Sequence, residues 1–141
     1  MAKEKKIKTQ SVSRYPKEVR SKAYSYSSER ICWQFSTMDL DGPFKFCGLR
    51  PGTWAKILSV MKEWDRKTWA EILGDRDHSI SIDALSNRAV KRLEEIERDD
   101  IDGICSLHIG GKSRLIGVRD RYVFQVLWWD SNHEVCPSHK K

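Results

Sequence analysis

No stretch of these 141 residues stays apolar for long enough to cross a bilayer, and the N-terminal MAKEKKIKTQ has no hydrophobic segment of the kind a secretory leader needs. A soluble, cytoplasmic protein is the expectation. Cysteine is sparse: four residues at irregular spacings argue against a disulfide scaffold and fit reduced thiols. Also missing are a glycine loop that cradles phosphates, a serine-centred nucleophile elbow and a paired-carboxylate motif. No internal repeat or low-complexity linker divides the chain, so its length fits one domain with a tail, large enough to bury a core without covalent staples. The nearest approach to a metal site is His133-x2-Cys136-x2-His139. It lacks the two close ligand pairs of a structural zinc site and runs into a Ser-His-Lys-Lys end, so neither metal nor cofactor is expected.

What is present is unevenly placed. Residues 1–30 hold nine Lys/Arg against three Asp/Glu, a difference of six that equals the whole net charge of +6; residues 31–141 hold seventeen of each. Residues 1–30 therefore read as a basic, flexible tail and residues 31–141 as a single domain. A basic tail suits attraction to RNA or another polyanion, and equally a solvated leader. Tyr15, Tyr24 and Tyr26 alternate with Arg14, Arg20, Lys22 and Arg30; one reading stacks the rings on bases with the cations at phosphates, the other anchors the tail on its own domain.

Along the domain, residues 31–38 (ICWQFSTM) alternate like a strand and end in Asp39-Leu40-Asp41-Gly42-Pro43, with 44–47 a short return strand. Trp54, Ile57, Leu58, Met61 and Trp64 then follow helical spacing behind a Thr53 cap, and Thr68 to Leu73 forms a further turn stopped at Gly74. Residues 75–82 are a polar connection. Residues 83–97 are the clearest helix, with Ala84, Leu85, Ala89, Leu93 and Ile96 as its apolar stripe and a Ser81 or Asp83 cap.

Three apolar runs follow, at 104–109, 114–119 and 122–129, joined by turns at Gly110-Gly111 and Asp120-Arg121. With two-residue turns at both places, Cys105, Leu107, Ile109, Ile116, Val118, Val123 and Leu127 share one face with Arg114 and Gln125. Ser106, His108, Ser113, Arg119, Tyr122, Leu115, Phe124, Val126 and Trp128 share the other. The first face should meet the core; the second suits partial cover with a cationic opening. The predicted architecture is α+β: a small antiparallel sheet, made of the N-terminal strand plus a C-terminal three-stranded meander, covered on one face by helices.

A helix with Ala89 and Leu93 in A-x-x-x-L spacing, an apolar strand, a glycine turn, RLIGV (114–118), VFQVLWW (123–129) and a closing HEV (133–135) together resemble the RelE/ParE toxin superfamily of bacterial toxin–antitoxin systems. The resemblance covers residues 84–137. It implies a small sheet with helices on one face and, in many members, cleavage of RNA on the ribosome, silenced by an antitoxin protein that wraps the toxin. By position, Arg114 matches the arginine of the family's middle strand and His133 falls in its closing segment. Cys136 sits where many members have tyrosine, so a tyrosine-dependent chemistry is not implied.

Cleavage by 2′-hydroxyl attack needs a base, a cation beside the non-bridging oxygens and an acid for the leaving oxygen. Histidine serves either proton role near neutral pH, and arginine presents a planar fork of donors to phosphate. The expected catalytic set is His133, His108, Arg114 and Arg119, with Lys112, Arg121, Tyr122 and Trp128 contacting RNA. Each has a plainer reading: His108 a surface histidine, Arg114 an ion pair with Glu94 or Glu97, Arg119 and Arg121 solvated beside a turn. Trp128 and Trp129 point to opposite faces, one into the core. The leading expectation is a toxin-like endoribonuclease whose partners are RNA or the ribosome and an antitoxin. The alternative is a non-catalytic domain binding nucleic acid or protein through the basic tail and the aromatic sheet face.

Overall fold

A computed structural model describes residues 26–74 and 79–137. In chain order the elements are β1 (Cys32–Gln34), α1 (Pro51–Trp64), α2 (Trp69–Leu73), β2 (Ser79–Ser81), α3 (Asn87–Glu95), β3 (Gly103–Gly110), β4 (Ser113–Asp120) and β5 (Val123–Asp130). The strands form one open five-stranded sheet in the order β1-β5-β4-β3-β2, and the fold is α+β. The meander β3-β4-β5 is antiparallel, as its alternation predicts. β1 lies parallel to β5, so the sheet is mixed. β2 falls in the stretch expected as a polar connection; a Ser-Ile-Ser strand is too short for periodicity to mark, and its place is fixed by pairing Ile80 with Ile104. No helix among the described residues is long and apolar enough to cross a membrane.

Both faces of the sheet are covered, where cover on one face was expected. Leu107, Leu115, Phe124, Val126 and Trp129 are buried beneath Ile57 and Met61 of α1 and Trp69 of α2. Ile104, Ile116, Leu127 and Trp128 are buried beneath Ala89 and Leu93 of α3, closed off by Phe44 and Val135. The reason is the register. Gly110 pairs with Ser113, so the turn residues are Gly111 and Lys112, and Gly111 supplies the positive φ of 54°. A bulge at Ile109 then sets Leu107 against Leu115 and His108 against Arg114. The expected Gly110-Gly111 turn would have set Leu107 against Arg114 instead. Burying Leu107 and Leu115 together contributes about 2 kcal/mol each, which favours the bulged register.

The β4-β5 turn also closes one residue later than expected, at Arg121 and Tyr122, yet the faces are unchanged as far as Val126 because the shift is equal on both sides; Trp128, expected beside Leu115, Phe124 and Val126, lies on the opposite face. A second bulge, at Leu127, turns Trp128 towards α3 and Trp129 towards α1. The tryptophans do point to opposite faces, and both are core.

The helices begin where local chemistry allows. α1 starts at Pro51, with Arg50 rather than Thr53 as its cap residue, since a proline at the first position needs no N–H partner. Leu58, expected in its apolar stripe, is 55% exposed. α2 carries a capping box between Thr68 and Glu71 and stops at Gly74. α3 is shorter than the predicted 83–97: a 3-10 turn (Ile82–Ala84) precedes it, and the Ser86 hydroxyl caps Ala89 N. Residues 44–47 form no strand, but Phe44 and Phe46 are buried anchors. Residues 26–30, placed with the tail from sequence, are tied to α2: Trp69 N donates to Glu29 O and Ala70 N to Ser27 O. The rest of the tail, residues 1–25, lies outside the described residues.

One buried polar node fastens these layers. Asp39, 6% exposed, accepts from Arg92 Nε and Nη2, both at 2.8 Å, and from Trp128 Nε1 at 2.8 Å. Burial pushes its carboxyl up, but hydrogen bonds from Arg92, Trp128 and Asp41 N, with the charge of Arg92, outweigh that and hold it below its ordinary 3.8. A carboxylate lowered in the folded state stabilises fully above its unfolded value and loses that contribution as pH falls through the folded one. Asp39→Asn is expected to lower stability by about 3 kcal/mol at pH 7. The gap from wild type should narrow as pH falls below about 4, read by urea denaturation at each pH. At Gly117, an added Cβ would lie 2.3 Å from Gln125 O and 2.6 Å from the Phe124 ring. Gly117→Ala should therefore cost about 3 kcal/mol or leave the chain insoluble, measured by the same unfolding curves.

Candidate functional site

The meander gathers the expected site residues at two separate ends. At the β3-β4 turn, His108 lies opposite Arg114 and Arg114 opposite Asp130. His108 Nε2 stands 2.9 Å from Gly111 O, and Arg114 Nη1 donates to the same carbonyl at 2.9 Å and to Ser113 O at 3.2 Å. Arg114 is thus held by the turn and makes no ion pair with Glu94 or Glu97 among the described residues. Lys112 stands exposed at the tip of the turn.

The tautomer of His108 follows from its partner. A carbonyl oxygen only accepts, so Nε2 carries the proton, and in the neutral ring Nδ1 keeps its lone pair. Exposed, with one nitrogen fixed by backbone, the ring has the form of a base oriented from behind.

His133 reaches this end through Asp130. The buried Asp130 carboxylate accepts from Glu134 N and Val135 N, both at 2.8 Å, and so closes the loop after β5. Inside that loop His133 has φ 60°, the left-handed region that non-glycine residues enter at a cost of about 1 kcal/mol. The strained residue is the half-buried histidine just before the two residues whose amide groups Asp130 organises. Asp130 was not singled out from sequence, although an Asp four and five residues before the amides it caps is a local signal.

A second residue missed from sequence is Lys56 of α1. Its Nζ would lie 3.1 Å from a Cβ added to Gly110, which puts the ammonium against the β3-β4 turn. Nothing in the linear chain connects α1 to a turn more than fifty residues later.

Arg119, Arg121 and Tyr122 belong to the other end. Arg114 and Arg119 are five residues apart on one strand, about 17 Å, and on opposite faces. Arg119 therefore cannot share a phosphate with Arg114. Its guanidinium lies 4.0 Å over the Trp69 ring and its Nε donates to Arg121 O at 2.9 Å. Arg121 forks onto Asp120 at 3.0 and 3.1 Å. Tyr122, 38% exposed, faces the Tyr26 ring at 6.3 Å. Trp128 is fully buried on Asp39 and offers no surface to a base.

Burial pushes the Cys136 thiol up, and the Asp130 carboxylate adds to the shift, which disfavours its thiolate. Of the metal-like spacing, His133 and Cys136 are described and His139 lies outside the described residues. No group of three metal-ligating side chains stands together among the described residues.

Comparison of the chain with protein-family models, with curated proteins and with solved structures finds no match.

The division of the meander has a direct consequence. Arg119→Ala, which removes a cation stacked on a core indole, should lower stability by about 1 kcal/mol in urea denaturation. It should leave any activity of the other end unchanged.

Proposed function

We propose that the protein is an endoribonuclease whose site is the β3-β4 turn end of the sheet. The observation that carries the reading is the shared carbonyl of Gly111, which orients His108 and Arg114 side by side from opposite strands. His108 Nδ1 takes the proton of a ribose 2′-hydroxyl. The freed oxygen attacks the adjacent phosphorus, and the bond from phosphorus to the 5′-oxygen breaks. His133, protonated, gives its proton to that leaving oxygen, so the products carry a 2′,3′-cyclic phosphate and a 5′-hydroxyl. The Nε and Nη2 donors of Arg114, which have no partner among the described residues, face the charge that builds on the non-bridging oxygens. Lys112 and Lys56 add positive charge to the same end.

The resemblance of residues 84–137 to RelE/ParE toxins supports the same reading and adds messenger RNA on the ribosome as substrate and an antitoxin as partner. The basic excess of residues 1–30 fits attraction to that polyanion. Arg121 and Tyr122, far from His108, favour a second reading, a non-catalytic RNA-binding domain that spreads its contacts over both ends of the sheet.

Tightly controlled expression in a bacterial host, with growth and primer extension of cellular RNA as readouts, separates the two. The wild type should arrest growth and cut messages. His133→Asn keeps a residue that tolerates the left-handed backbone and should reduce cleavage by about 100-fold or more while the protein stays folded; His108→Ala should do the same. A binding surface would instead weaken gradually with each substitution and leave RNA intact throughout.

A further inference from the structure

Asp130 ends β5 directly across from Arg114 of β4, and neighbouring strands lie only about 4.8 Å apart. Opposite charges facing one another on adjacent strands ordinarily attract and pair. These two are committed elsewhere. Arg114 Nη1 donates to Gly111 O and Ser113 O, and the carboxylate of Asp130, a residue only 2% exposed, accepts from Glu134 N and Val135 N, both at 2.8 Å. No lysine or arginine forms an ion pair with Asp130 among the described residues. A buried carboxylate without a counter-ion is costly unless its oxygens are hydrogen-bonded, so this one depends on the two amides.

Those amides belong to the two residues that follow His133. Val135 is fastened from its other side as well: its carbonyl accepts from Ser86 N at 2.8 Å, and its fully buried side chain lies in the cluster of Phe44, Leu85 and Trp128. The Arg88–Glu134 pair, at 3.3 Å and exposed, adds little to this. His133 is therefore held between the end of β5 and a fixed Val135, and its left-handed φ of 60° belongs to that closure. We propose that Asp130 is a positioning residue of the site, committed to the loop rather than to Arg114, and that it acts on cleavage through His133. Its part in cleavage rests on the endoribonuclease reading; the locking of the loop does not.

Amide hydrogen exchange in the full wild-type chain tests the lock by itself. The Glu134 and Val135 amides should exchange about 100-fold or more slowly than an exposed loop amide. Asp130→Asn keeps the shape of the side chain but offers one acceptor oxygen, so one amide loses its partner. Exchange at both positions should then accelerate about tenfold, and the ring signals of His133 should broaden while those of His108 stay as in the wild type. With a short RNA as substrate, Asp130→Asn should lower kcat about tenfold and leave KM within about twofold. His133→Asn supplies the discriminating background. If Asp130 acts through His133, adding Asp130→Asn there costs no further activity, whereas a merely structural role lowers both backgrounds by the same factor. Asp130→Glu, which keeps both acceptor oxygens on a stem one methylene longer, serves the same cycle if the asparagine variant unfolds. Rapid exchange at Glu134 and Val135 in the wild type, or a loss that multiplies with that of His133→Asn, would overturn the proposal. A wild type that leaves RNA intact removes the role in cleavage together with the reading beneath it, while slow exchange at the two amides would still establish the lock.

Discussion

The carboxylate of Asp39 ties together three parts of the chain that no hydrophobic contact alone would align. It follows the first strand, takes both donors of an Arg92 fork from α3 and the indole N–H of Trp128 from β5, while its own amide donates to Leu127 O. Leaving Trp128 buried without that acceptor would cost about 1–3 kcal/mol, and a lone buried carboxylate would cost more. The three groups therefore stabilise the fold only as a set. The set fixes the Leu127 bulge, which in turn decides that Trp128 faces α3 and Trp129 faces α1.

That bulge also sets apart the surroundings of the two indoles of β5. Because Trp129 turns to the α1 side, it packs in the core beneath Ile57 and Met61, where its indole N–H is buried without a partner among the described residues. The same strand meets both fates: the Trp128 N–H is paired with Asp39 inside the core, and that of its neighbour Trp129 is buried without a partner. The Trp33 indole of β1 shares that state, so two buried indole N–H groups packed with the α1 core stand without a hydrogen-bond partner among the described residues.

The two ends of the meander differ in how their cations are used. At the β4-β5 turn, Arg119 and Arg121 are spent on Trp69, a backbone carbonyl and Asp120, which are structural contacts. At the β3-β4 turn the histidine and arginine converge on a single backbone oxygen, Gly111 O, and each keeps other ring or guanidinium nitrogens without a partner among the described residues. Asp130 performs the matching task for His133 by holding two amides behind a strained residue.

Much of this was legible in the chain itself. Alternation and turn residues were enough to define the antiparallel meander, and the faces of β4 and of β5 up to Val126 came out right although their turn closes one residue later; beyond the Leu127 bulge, Trp128 lies on the face opposite to the expected one. Thr68 and Gly74 marked the bounds of α2, since caps act within a few residues. Tertiary structure decided the rest. The face of β3 depended on a one-residue bulge at Ile109, whose stability comes from Leu107 meeting Leu115 across the sheet and not from any local preference. β2 exists because β3 offers it an edge, Arg119 parted from Arg114 because a straight strand holds them about 17 Å apart, and Lys56 reached the turn only once α1 had docked. Local sequence governs what a residue a few positions away can satisfy; which distant groups meet is set by packing both faces of the sheet at once.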